Sequence, residues 1–198
     1  MNEHIQMQIY DIQVKLQTTL TEERYEHTLG VMYTAGCLAM AHGYDVSKAM
    51  LTGLLHDCAK CMRLEEMLRW CDTYHFPITE MERNSKNLLH AKAGAVVAEQ
   101  EYHINDREIL ASIACHCTGK PDMSTLDKIV YIADFIEPGR KEAKNLDAIR
   151  QLAFDDLDAC IAQITYDILN YLKEKGYTID PTTEETYHFY KACRKEIN

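Results

Sequence analysis

Four histidines of this chain sit inside apolar, helix-patterned stretches: His27 in RYEHTLGV, His56 in LLHDCAK, His90 in NLLHAKAGAV and His116 in SIACHCTG. Asp57 follows His56 directly, and Asp134 interrupts the apolar run IVYIADFIEPGR. A buried carboxylate is costly unless it is paired or bound to a metal. Taken singly, each histidine reads more simply as a hydrogen-bonded core or boundary residue, and Asp134 as the partner of an arginine. Together, on separate segments, they point elsewhere. Helical bundles build metal sites from inward-facing histidines and carboxylates on several helices. Neutral imidazole plus carboxylate suits iron, manganese, zinc or a similar divalent ion, and hydrolytic chemistry needs positions left open for water and substrate.

Two basic residues stand at helical spacing from these candidates. Arg24 precedes His27 by three positions and Lys60 follows Asp57 by three. One turn on a helix face puts each beside a proposed ligand, which favours a role in the site, phosphate contact in the family resemblance described below, over a plain solvated surface charge. Cys58-x-x-Cys61 with Cys115-x-Cys117 offers a rival thiolate zinc site. The second spacing is poor for that, and lone helical cysteines are usually small core residues.

The elements that must hold these side chains are helical almost throughout. Pro77, Pro121, Pro138 and Pro181 fall between helical patterns, as helix breakers should. No period-2 run is long enough to argue for a strand. The pattern predicts helices over 3–18, from 22 to near 43, and from an Asp45 cap through the LTGLLHDCAK stretch. A short helix follows over 63–73. Thr79 with Glu82 forms a capping box, and NSKN at 84–87 interrupts the helix it starts. Asn105–Glu108 opens another helix that Gly119 stops. The rest lie near 125–136, 145–152, 154–175 and 183–195. The expectation is an all-α single domain over 1–198, with the candidate metal ligands in a core at about 21–140 and C-terminal helices over about 145–195; the family resemblance described below adds a nucleotide-contacting loop to the latter.

Composition narrows the class. The chain has 198 residues, enough for a full core, and its formal net charge of −10 argues against a nucleic-acid binder. A cation and a few basic residues can still reverse the field inside one cleft. The spacing of eight cysteines does not form a secreted disulfide framework. The N-terminal MNEHIQMQIYDIQ has no apolar core of a signal peptide, and no apolar run reaches membrane-spanning length. A cytoplasmic protein with reduced thiols is expected. The apolar faces of 154–175 and 183–195 suit internal packing or a homodimer.

The order His27, His56-Asp57, Asp134 resembles the pattern of the HD-domain metal-dependent phosphohydrolases, an all-helical superfamily. The dyad alone is weakly specific. RYEHTLGV, GLLHDCAK, LLHAKAGA, HCTG followed by MSTLDKIVYIADFIEPGR, and DPTTEETYHFY together resemble the YqeK-type family of bacterial symmetrical bis(5′-nucleosyl)-tetraphosphatases, from Arg24 to about Tyr190. Those enzymes split diadenosine tetraphosphate into two ADP. The resemblance implies that His27, His56, Asp57 and Asp134 are metal ligands, with one or two ions, iron first and manganese or another divalent ion as substitute. It implies that His90 and His116 face the substrate phosphates or hold a second metal. Arg140 becomes a phosphate contact, Thr118 and Gly119 offer a hydroxyl and a close-approach backbone beside His116, and the segment Tyr177, Thr178, Ile179, Asp180, Pro181, Thr182 becomes a loop against the nucleoside. Cys58 and Cys117 depart from the family pattern without removing a ligand; they bear on pocket shape.

The implied mechanism is attack of an activated water on an inner phosphorus, in line with the leaving nucleotide. Asp57 orients that water or bridges two ions, and basic residues with protonated His90 or His116 stabilise phosphoryl charge. Mononucleotide or cyclic-nucleotide hydrolysis on the same fold is the nearest alternative. A non-catalytic nucleotide- or metal-binding protein and di-iron oxygenase chemistry stand further off.

Overall fold

The computed structural model describes residues 3–141 and 143–193. Among them are eleven helices and no strand: α1 (Glu3–Thr19), α2 (Glu22–Ala41), α3 (Val46–Leu55), α4 (Leu64–Thr73), α5 (Glu80–Arg83), α6 (Lys86–Glu101), α7 (Arg107–Cys115), α8 (Thr125–Ile136), α9 (Leu146–Asp155), α10 (Leu157–Lys175) and α11 (Pro181–Cys193). Among the described residues, no helix is long and apolar enough to cross a membrane.

The helix starts follow from short polar side chains. Thr21, Asp45, Asp106 and Asp156 each accept from a backbone N–H of the first turn they precede, satisfying donors that have no intrahelical partner. Thr79 with Glu82 and Ser124 with Asp127 form reciprocal capping boxes. Asn84 and Ser85 end the short α5 before α6 begins, so the NSKN interruption is real.

Three boundaries differ from the sequence expectation. The third helix stops at Leu55, so His56 is its C-cap and Asp57 lies beyond it in a turn. No helix starts at 154, because Asp156 takes an extended conformation that ends α9 and caps α10. The last helix begins at Pro181, whose fixed φ and missing N–H suit a first helical position.

The core positions the site. α8 is buried on most of its circumference through Leu126, Ile129, Val130, Ile132, Ala133 and Ile136, and α2, α3, α7, α9 and α10 pack around it. α2 and α3 cross closely at Gly53, where a Cβ would lie 3.1 Å from the Met32 Cα and the Val31 carbonyl oxygen. That approach brings the C-terminal end of α3 against the face of α2 that carries His27. Leu54 and Leu55, fully buried just before His56, anchor the end of α3; truncating either to Ala would cost roughly 2–5 kcal/mol.

Candidate metal centre

Five helices deliver the six candidate ligands. His27 comes from α2, His56 and Asp57 from the end of α3, His90 from α6, His116 from the C-cap of α7 and Asp134 from the last turn of α8. The Nε2 of His27 lies 3.1 Å from Asp134 Oδ1 and 4.0 Å from Asp57 Oδ2. The Nε2 of His56 lies 3.5 Å from Asp57 Oδ2 and 3.9 Å from Asp134 Oδ1. On the other side of Asp57, Oδ1 is 3.1 Å from His90 Nε2 and 3.6 Å from His116 Nε2. Two overlapping triads result, His27–His56–Asp134 and His56–Asp57–His116, with the ligand atoms of each within 4.8 Å of one another.

The backbone fixes which ring nitrogen faces inward. His56 Nδ1 is 2.7 Å from the Gly53 carbonyl and His116 Nδ1 is 2.8 Å from the Ile113 carbonyl. A carbonyl only accepts, so each Nδ1 carries the proton and each Nε2 turns a lone pair toward the centre. Both carbonyls belong to last turns of helices, where intrahelical donors run out; that of Ile113 also takes the His116 N–H, at 3.5 Å. A histidine just past a helix end is therefore oriented by that helix.

His27 is oriented by a residue that sequence reasoning missed. Its Nδ1 lies 3.0 Å from Glu137 Oε1, and Glu137 is itself buried and accepts from the Gly139 N–H. A carboxylate on the outer nitrogen of a metal-facing imidazole fixes its tautomer and raises its basicity. Gly30, one turn after His27, makes room: a Cβ there would lie 2.6 Å from Glu137 Oε2. The signal was present as a second carboxylate three residues after Asp134, ending the same apolar run, with a glycine three residues after His27.

These tautomers leave His27 Nε2, His56 Nε2 and Asp57 Oδ1 buried with no hydrogen-bond partner. Buried electron-pair donors are expensive to leave unmatched. A divalent cation in the first triad would take both imidazole lone pairs and one in the second would take Asp57 Oδ1, so the donor set fits one or two metals of the imidazole–carboxylate class.

Charge around the centre supports ionised carboxylates. Burial alone would raise Asp57, but the imidazoles of His56, His116 and His90 around it outweigh burial and hold the carboxyl well below its usual value. Asp134 behaves alike, with His27, His56 and Arg140 overcoming burial. Burial pushes His90 down to about 4, against the pull of Asp57. Burial therefore works against a protonated His90 and favours the neutral imidazole.

The basic residues are drawn to the centre. Arg24 donates to Asp57 Oδ2 at 2.9 Å. Arg140 donates to Asp134 twice, to Oδ1 at 2.9 Å and to the main-chain oxygen at 3.1 Å. Lys60 Nζ sits 3.2 Å from His90 Nε2. None is a free surface charge. A cleft of about 830 Å³ opens over the first triad, lined by Arg24, His27, His116, Asp134 and Arg140, with Phe135, Ile164 and Ile168 as apolar wall.

The remaining candidates do not line that cleft. Gly119 adopts a positive φ, and its close approach is to α11, where a Cβ would meet Thr186 Cγ2 at 2.8 Å. Thr118 bonds within its own turn and accepts from Thr186 Oγ1 through its carbonyl. Asp180 caps α11 by accepting from the Thr182 N–H at 2.8 Å, with Pro181 at the first helical position. Tyr177 is exposed, and Thr178 and Ile179 join it to that cap. Asp180 is the buried member of this segment.

The thiolate alternative finds no support among the described residues. Neither ligand triad contains a cysteine. Cys58 donates its S–H to the Gly94 carbonyl, and burial pushes that thiol up to about 12, so it is no thiolate near neutrality.

Comparison with known proteins agrees with this geometry. Residues 24–139 match the HD domain family. A Bacillus subtilis protein named symmetrical bis(5′-nucleosyl)-tetraphosphatase is 37% identical over 170 residues, covering 86% of this chain and 90% of the relative. A Staphylococcus aureus protein of the same name is 36% identical over 180 residues, covering 90% and 92%. A crystal structure from Clostridium acetobutylicum, described as a predicted HD superfamily hydrolase involved in NAD metabolism, superposes with a TM-score of 0.89 at 36% identity, covering 92% of this chain and 97% of that one.

Proposed function

This chain belongs to the HD domain family, and from that premise we propose that it is a metal-dependent hydrolase that cleaves dinucleoside tetraphosphates symmetrically, releasing two ADP from diadenosine tetraphosphate. The observation that carries the reading is the convergence of His27, His56, Asp57 and Asp134 on one buried space, with imidazole lone pairs left unmatched. Relatives that share over a third of the sequence across most of the chain bear the corresponding name.

His27, His56, Asp57 and Asp134 would hold the first divalent ion. His116 and Asp57, with His90 behind them, border a second position. Iron is the proposed ion, with manganese a substitute. A bound divalent ion supplies Lewis acidity and lowers the pKa of water in the site. The protein's own groups do the rest. Asp57, held ionised, accepts a hydrogen bond from the attacking water and directs its lone pair at the inner phosphorus. Arg24 and Arg140 exchange their carboxylate partners for phosphoryl oxygens when substrate enters. Lys60 and neutral His90 donate at the far edge. Phe135, Ile164 and Ile168 exclude water from one wall. The segment 177–182 would close over the nucleoside from the α11 side. We place the protein in the cytoplasm, with its eight cysteines as free thiols.

Product analysis tests this. The protein, loaded with ferrous or manganous ion, is given diadenosine tetraphosphate and the products are resolved by anion exchange. ADP as sole product supports the proposal. ATP plus AMP overturns the geometry of attack, and faster turnover of mononucleotides or cyclic nucleotides overturns the substrate class. Asp57→Ala should abolish turnover; full activity in that variant would remove the enzyme reading.

A further inference from the structure

Arg150 lies on α9, outside the set of residues assigned to the centre. Its guanidinium nevertheless closes the turn that leaves α8. Nε donates to the Ile136 carbonyl at 3.0 Å, and NH2 donates to the Glu137 carbonyl at 3.0 Å and to the Arg140 carbonyl at 3.3 Å. NH1 lies 3.6 Å from the exposed Asp147. The first two acceptors are carbonyls at the C-terminus of α8, where intrahelical donors run out and a cation is favoured by the helix dipole.

The turn so held carries two working side chains. Glu137 points to His27 Nδ1, and Arg140 points back to Asp134 Oδ1. Among the described residues, the other bonds that shape it are those of the Arg140 N–H to the Glu137 carbonyl, the Gly139 N–H to the Glu137 side chain, and the Glu137 and Arg140 side chains to His27 and Asp134. Glycine at 139 and proline at 138 offer no side chain that packs the turn down. A planar guanidinium with several donors in a fixed fork can hold three carbonyls at once; a lysine ammonium cannot reproduce that geometry.

We infer that Arg150 is a positioning residue for the metal centre: by clamping residues 136–140 it sets the Glu137–His27 contact. The inference rests on the metal-dependent reading above. It predicts that Arg150 acts through Glu137, so the effects of changing the two will not add.

The test measures Mn(II) binding to the full-length, chelator-stripped protein by calorimetry, without nucleotide. Arg150→Met is expected to weaken binding by about 10- to 100-fold, the range for loss of an outer partner of a metal ligand. Arg150→Lys should recover little of it. Ile149→Val, which trims a buried residue of the same helix, controls for lost stability and should leave affinity within threefold at a comparable drop in Tm. In a Glu137→Gln background, Arg150→Met should add less than threefold. Affinity within threefold of the parent in Arg150→Met overturns the inference, as does full additivity with Glu137→Gln or an equal loss in Ile149→Val. Because nucleotide is absent, failure of the substrate assignment leaves this readout intact, whereas a parent protein that binds no Mn(II) overturns both.

Discussion

His27 and Glu137 stand 110 positions apart in the chain and meet at 3.0 Å, ring nitrogen to carboxylate oxygen. That contact decides what His27 can do. With Nδ1 protonated and held by Glu137, Nε2 is committed as a lone pair facing Asp134 and Asp57. Glu137→Gln keeps the shape and a carbonyl acceptor but removes the charge that raises imidazole basicity. The expected outcome is a 10- to 100-fold weaker affinity for divalent metal, read by titration of the metal-free protein, with Tm changed little.

Gly30→Ala tests the same contact from the opposite helix. In a helix interior this change ordinarily stabilises by roughly 0.5–1 kcal/mol. Here the new methyl would sit 2.6 Å from Glu137 Oε2, so the carboxylate must swing away from His27. The variant should keep the Tm of the metal-free protein to within a few degrees yet bind metal as weakly as Glu137→Gln. Parental metal affinity would show that Glu137 is not needed where it lies.

Arg140→Gln addresses substrate. The guanidinium is 45% exposed at the cleft mouth and reaches the site through Asp134. A charge-assisted hydrogen bond contributes about 1.5–3 kcal/mol. Steady-state kinetics should therefore show KM for diadenosine tetraphosphate raised by about 10-fold or more, with a smaller fall in kcat and little change in Tm. A loss confined to kcat would place Arg140 in the chemical step instead.

The metal-free protein should lose stability as pH falls from neutrality. His90 titrates near 6.5 when unfolded and is pushed down to about 4 by burial in the fold. Between those values the unfolded chain binds the extra proton, so stability is fully present above about 6.5 and declines toward 4, by roughly 1 kcal/mol per pH unit. Asp57 and Asp134, both held below their usual values, contribute stability that is present above about 4 and lost only under more acid conditions. Urea unfolding at several pH values measures the slope, and His90→Gln should flatten it between 6.5 and 4. An unchanged slope in that variant would assign the pH dependence elsewhere.

Much of the centre was legible because its residues offend local rules. Histidines within apolar helical runs and a carboxylate inside IVYIADFIEPGR are costly in a core unless something binds them, so His27, His56, Asp57, His90, His116 and Asp134 stood out. Glu137 escaped because it sits beside Pro138 and Gly139, where a turn gives a carboxylate an ordinary reason to be exposed. Thr118, Gly119 and the segment 177–182 are ambiguous in a related way: small, polar and helix-breaking residues serve turns, caps and ligand contacts alike. In the fold, they hold α11 against the turn after His116.

The sequence by itself determined the helical class, nearly every helix start and the types of the metal-facing side chains, because caps, periodicity and buried polarity are local and register within a few residues. Only the tertiary structure decided which atoms face the centre. The lone pairs of His56 and His116 are set by carbonyls at helix ends, that of His27 by Glu137, and the turn bearing Glu137 is gripped by Arg150 from another helix. Those are contacts of direction between segments far apart in the chain, and no local pattern encodes the orientation of one helix against another.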